Sequence, residues 1–209
     1  MPGKPLLLSA ACLLFIHCKK EDIQKPQAVQ DTIKQKSTIH STPKLQDNTA
    51  IETVKSFVTW YRDHEDDLSH FNTIKGGSQD GNEPAADYAV DFNQVDKEIT
   101  FLKSSYFLSE KFLSAYKQNY VEGDEYFKKN PANDGPPHGF DYDYFFKTQD
   151  DYQSDLQDIK SIQFTANQNN PQSCSVKFHL KNSGMTYQYT LSKNNRNQWQ
   201  IDSIENISQ

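Results

Sequence analysis

Cysteine is scarce in this chain, three in 209 residues, which excludes a fold stapled by a disulfide framework. Apolar residues are thin as well, at 35% of the chain, below the ~45–50% usual for a globular protein. No apolar run reaches the ~20 residues that a membrane-spanning helix needs, and no internal repeat is visible. Basic residues are outnumbered 22 to 28, for a net charge of −6. That balance argues against a phosphate backbone as partner, so no nucleic acid is expected. What the chain does hold is rings: 11 Tyr, 13 Phe and 2 Trp. Its core must be built largely from them.

Residues 1–17 read as a secretory signal. Lys4 supplies a short positive start, and Pro5–Ile16 an apolar stretch too short to span a membrane. The stretch ends at Cys18, followed by Lys19-Lys20-Glu21-Asp22. This resembles the start of a bacterial lipoprotein, in the looser cysteine boxes of the Bacteroidetes type. The resemblance implies that the Cys18 thiol is lipidated and holds the protein at the cell envelope. His17 departs from the pattern, since a small residue is usual there. Cys12, after Ser9-Ala10-Ala11, has the better local box but too short an apolar run before it. Ordinary cleavage and a secreted chain is the alternative. Several acyl chains, at about 0.8 kcal/mol per buried CH₂, make a firm anchor.

Residues 18–48 read as a flexible tether without aromatics or any apolar period. The acid excess falls in residues 49–209, expected to form a single domain. Ile51, Val54, Phe57, Val58 and Tyr61 share one helical face, with Asp47 or Thr49 as cap and fraying expected over Arg62–Asp67. A loop with Gly76-Gly77 and Asp80-Gly81 follows. A second helix is predicted over Asn93–Lys103 and a third from Ser109, aligning Phe112, Leu113, Tyr116 and Tyr120. Three prolines and two glycines keep Asn130–Gly139 irregular.

The period then changes from 3.6 to 2. A strand is expected within Asp158–Ala166, with Ile162, Phe164 and Ala166 on one face. Cys174, Val176, Phe178 and Leu180 make a second face, Met185, Tyr187, Tyr189 and Leu191 a third, and Trp199, Ile201 and Ser203 a fourth. Each strand has one wet and one apolar face. The fold class is therefore α+β: N-terminal helices packed on an antiparallel sheet of about four strands.

Helices followed by a curved antiparallel meander resemble the cystatin-like or nuclear-transport-factor-like α+β cone. Val54-Lys-Ser-Phe-Val-Thr-Trp-Tyr61, Val90-Asp-Phe-Asn93, Ser104-Ser-Tyr-Phe-Leu-Ser-Glu-Lys-Phe-Leu113 and Phe140-Asp-Tyr-Asp-Tyr-Phe-Phe-Lys-Thr-Gln-Asp150 are similar to small bacterial lipoproteins grouped as domain of unknown function 3828. The resemblance covers Ala50 to the C-terminus. It implies a cone whose concave sheet face and helices enclose a pocket, and it supplies no catalytic residues.

The chemistry-bearing residues are few. Cys174 and His179 are five apart and so point to opposite faces of one strand, which argues against a nucleophile and its base. His64, Asp67 and His70 offer metal ligands without a His-Glu-x-x-His string. Asp80-Gly81-Asn82 begins like a calcium loop, but Ala85 and Asp91 stand where glycine and glutamate are required. No metal or cofactor is expected. In His138–Asp150, Asp141 and Asp143 alternate with Tyr142 and Tyr144, so an extended chain puts both carboxylates on one face. Such carboxylates serve as acid or base when burial raises their pKa, or they cap turns while the rings fill space.

Trp60, Asp143 and Gln149 are the candidate ligand-binding residues, in a pocket of aromatic walls and a few polar groups. No catalytic residue is assigned. A non-catalytic binding domain at the envelope leads, with a small ligand or a basic envelope protein as partner. The alternatives are a carboxylate-dependent hydrolase or isomerase and a secreted immunity or inhibitor protein.

Overall fold

A computed structural model describes residues 49–77 and 85–208. The signal, Cys18 and the tether lie outside the described residues, as do Asp80-Gly81-Asn82 of the calcium-like string. Helix α1 spans Ala50–Ser69, capped by the Thr49 hydroxyl, which accepts from the Glu52 amide at 3.2 Å. Val54, Phe57, Val58 and Tyr61 are buried, as the spacing predicts. The helix does not fray over Arg62–Asp67. Its polar last turns have tertiary partners: Arg62 Nη1 donates to the Leu156 carbonyl at 3.2 Å, and Glu65 Oε1 accepts from the Tyr152 hydroxyl at 2.7 Å.

The stretch expected as loop holds a hairpin instead, β1 Ile74–Gly77 paired antiparallel with β2 Ala86–Val90. Gly76 and Gly77 look like breakers but are what the hairpin needs. Both have positive φ, 93° and 74°, at a bulge, and a Cβ on Gly76 would run into the Asp87 carbonyl. Helix α2, Phe92–Ser104, starts at Asp91, whose Oδ1 accepts from the Asn93 amide at 3.1 Å while Lys75 pairs with its other oxygen at 2.8 Å. Helix α3, Glu110–Lys129, starts at Ser109. After the irregular 130–152 segment come the short α4, Gln153–Leu156, and a 3-10 turn, Ile159–Ser161.

Four strands close the chain: β3 Phe164–Asn170, β4 Ser173–His179, β5 Thr186–Lys193 and β6 Trp199–Asn206, all antiparallel and in sequence order. The domain is α+β, with α1 packed on β3, β4 and β6. Two expectations need correcting. The first strand starts later than expected, and Ala166 is exposed rather than core, because β3 is an edge strand with little apolar alternation to read. In β6 the alternation slips. Leu191 pairs with Ile201 but Thr190 pairs with Ser203, so Asp202 is an extra residue and Ile204, not Ser203, joins the core. The buried face of the sheet otherwise holds Cys174, Val176, Phe178, Tyr187, Tyr189 and Leu191. No helix among the described residues is long and apolar enough to cross a membrane.

Candidate ligand cavity

Asp143 sits in the irregular segment, and its local chemistry makes a turn there. Its Oδ1 accepts from the Phe146 amide at 2.6 Å, its carbonyl accepts from the Lys147 amide at 2.7 Å, and its own amide donates to the Thr148 carbonyl at 3.1 Å. The turn drives Phe145 and Phe146 into the core. The chain is therefore not extended over Asp141–Tyr144, and the two aspartates part company. Asp141 is exposed and accepts from Gln149 Nε2 at 2.9 Å; Asp143 turns inward, where its Oδ2 accepts the Tyr61 hydroxyl. Burial pushes the Asp143 carboxyl above the usual range, opposed by the bonds from Tyr61 and the Phe146 amide.

A second carboxylate lies on α2. Glu98 is only 6% exposed, and it follows Val95 and precedes Leu102 on the buried face of that helix. Two tyrosines one turn apart on α3 hold it: Oε1 accepts the Tyr116 hydroxyl at 2.9 Å and Oε2 the Tyr120 hydroxyl at 3.0 Å. Burial pushes Glu98 up to about 7, the hydroxyl bonds working against it. A buried charge needs such partners, because an unpaired one is far too costly.

Glu98 and Asp143 line one cavity of about 450 Å³, together with Tyr61, Glu65, Tyr116 and Tyr120. An open cleft of about 840 Å³ shares Glu65, Tyr142 and Asp143 with it and adds Asp141, Gln149, Asp150 and Asp151. Among the described residues, no lysine, arginine or histidine lines either space. Of the residues singled out in the sequence, Asp143 thus belongs to the cavity and Gln149 to the adjoining cleft. Trp60 belongs to neither. It lines a separate groove of about 520 Å³ with Lys55, Asp63 and Phe107, and stacks on His64 with ring centroids 4.7 Å apart.

Glu98 escaped the sequence reading, although a signal was present. Val95, Glu98 and Leu102 fall at i, i+3 and i+7, which is an acid standing in an apolar stripe. Tyr116 and Tyr120, one turn apart, were legible as helix face but not as the donors to that acid.

The other candidates occupy structural positions. Cys174 is a buried free thiol, and burial pushes its pKa up, the opposite of nucleophile activation. His179 is exposed and meets the Thr186 hydroxyl at 3.0 Å. The Nδ1 atoms of His64 and His70 each engage a carbonyl of their own helix, Trp60 at 2.7 Å and Asp66 at 2.6 Å. Among the described residues, no three His, Cys, Asp or Glu side chains converge as metal ligands. No protein-family model, curated protein or solved structure matches the chain.

Proposed function

We propose that this protein is a lipid-anchored, non-catalytic binding domain of the bacterial envelope, which takes a small molecule into the Glu98–Asp143 cavity. The single observation carrying the binding half is that cavity, whose volume of about 450 Å³ falls within the ~300–1,000 Å³ typical of ligand pockets. The anchor rests on Cys18 and the apolar stretch before it. A cystatin-like cone is the finer fold reading, supported by a long helix laid across a four-stranded antiparallel meander. Binding is preferred over catalysis because both carboxylates are engaged. Tyrosine hydroxyls take both oxygens of Glu98, and Tyr61 and the Phe146 amide take those of Asp143.

Native mass spectrometry of the full chain, purified without denaturation, tests this reading. A reproducible extra mass, lost on unfolding, is the expected result. A bare mass that no added small molecule shifts would refute it.

One observation favours a second reading. Glu98 and Asp143 face one cavity, and burial raises both carboxyls above their usual range, where a carboxyl can serve as general acid or base. A carboxylate-dependent hydrolase predicts turnover of small esters or glycosides that vanishes in a folded Glu98→Gln variant.

A further inference from the structure

The charged side chains lining the cavity and the adjoining cleft are acids. Glu65, Glu98 and Asp143 line the cavity, and Asp141, Asp150 and Asp151 are added in the cleft. Among the described residues, no basic side chain lines either one. A carboxylate or phosphate ligand would meet these six acids against a single nearby cation, the Lys147 ammonium on the Tyr144 ring, and low-dielectric walls make the net repulsion large. Rings form much of the remaining wall, Phe140 and Tyr144 among them. Aromatic faces attract cations and give no such advantage to anions.

The protein holds an internal instance of the same contact. The Lys147 ammonium lies over the Tyr144 ring, 3.2 Å from its centroid, with the Tyr142 ring 5.9 Å away. Both rings also line the cavity. Hydrogen-bond stoichiometry points the same way. Each Glu98 oxygen accepts one tyrosine hydroxyl, and a carboxylate oxygen has capacity for about two donors. An ammonium group brings donors only, so it adds to this network without competing for the tyrosine protons.

Resting on the binding reading above, we propose that the ligand is a small organic polycation of the aliphatic polyamine class. One ammonium is seated between Glu98 and Asp143 against the rings, and a second lies in the Asp141–Asp150–Asp151 cleft. Cavity and cleft share Glu65, Phe140, Tyr142 and Asp143 in their linings, so the two groups of acids adjoin, as two charges on one apolar stem require.

Isothermal titration of the purified full chain at pH 8 and low salt tests this with putrescine and spermidine, against 1,4-butanediol, succinate and a lysyl-lysine peptide. The expected result is that spermidine binds at least tenfold more tightly than the diol, and that succinate does not bind. Glu98→Gln should weaken spermidine tenfold or more. Asp141→Asn, an exposed change in the cleft that leaves the core intact, should weaken spermidine more than putrescine.

Equal or tighter binding of the diol or of succinate would overturn the polyamine assignment and leave the binding reading standing. Amine binding indifferent to both variants would mark diffuse surface attraction and overturn it too. A much tighter peptide would overturn it in favour of a basic protein partner. Silence from every probe while the purified protein carries an extra mass refutes the polyamine alone; silence with a bare mass refutes the binding reading as well.

Discussion

The tyrosines of the helical half and those of the sheet are the same residue put to different uses. Tyr61, Tyr116 and Tyr120 each donate a hydroxyl to a carboxylate, and so does Tyr152, to Glu65 at 2.7 Å. Tyr187 and Tyr189, at 0% exposure on β5, bury hydroxyls that have no partner among the described residues. An unsatisfied buried hydroxyl costs about 1–3 kcal/mol, so the sheet tolerates these groups for the volume of their rings. Tyr187 packs edge-on to Phe146 and Tyr189 against Phe57. Polar satisfaction is thus concentrated at the cavity, while the sheet is a scaffold of rings.

Removing the helical side's turn-forming acid should do most to break this contrast. Asp143→Ala strands the Tyr61 hydroxyl and the Phe146 amide together, and should cost about 3 kcal/mol or more in urea unfolding. Asp143→Asn should cost less, because it keeps an acceptor for the turn.

Glu98→Gln comes next, and its effect depends on pH. Glu98 has its carboxyl raised from 4.5 to about 7 in the folded state. Its contribution is complete below the unfolded value and is lost as pH rises through about 7. Folding should therefore weaken between about pH 5 and pH 8, by at most about 3 kcal/mol on this group's account. Glu98→Gln should flatten that slope and be the more stable protein at pH 8, read from denaturant midpoints across pH. An unchanged slope would mean that Glu98 is ionised in the folded protein throughout.

The smallest effects sharpen the contrast most. Tyr116→Phe should destabilise by about 1 kcal/mol through the lost bond to Glu98. Tyr189→Phe should be neutral or stabilise by up to about 1 kcal/mol, since it deletes only an unpaired hydroxyl. Equal losses at the two sites would show that the sheet hydroxyls are satisfied after all.

Much of the architecture was legible because it is carried by period. The α1 stripe from Val54 to Tyr61, the Ser109 cap and the alternation in β4 and β5 all appear where their spacing puts them. The failures share a cause, in that long-range contacts override local pattern. Arg62–Asp67 stays helical because Leu156 and Tyr152 meet it from elsewhere in the chain. The β1–β2 hairpin uses glycines that read locally as breakers. Asp202 shifts β6 by one residue, which no alternation rule anticipates. The site was half legible. Asp143 and Gln149 stand out in an aromatic–acidic string, but Glu98 becomes visible only when α2 and α3 are laid side by side.

The two margins of the four-stranded sheet differ in how they meet their surroundings. On β6, the Phe107 carbonyl accepts from the Ile201 amide at 2.8 Å and the Ser109 amide donates to the Ile201 carbonyl at 3.0 Å, with Leu108 bridging between. On β3 the outer strand is almost wholly exposed, with amide side chains at Asn167, Gln168, Asn169 and Asn170 and a register shift near its end. Bulges and polar side chains discourage a foreign strand from docking on such a margin. The aggregation hazard of this domain therefore sits on the opposite side. Whatever loosens the short link between α2 and α3 would free the Ile201 backbone groups of β6 for a foreign strand.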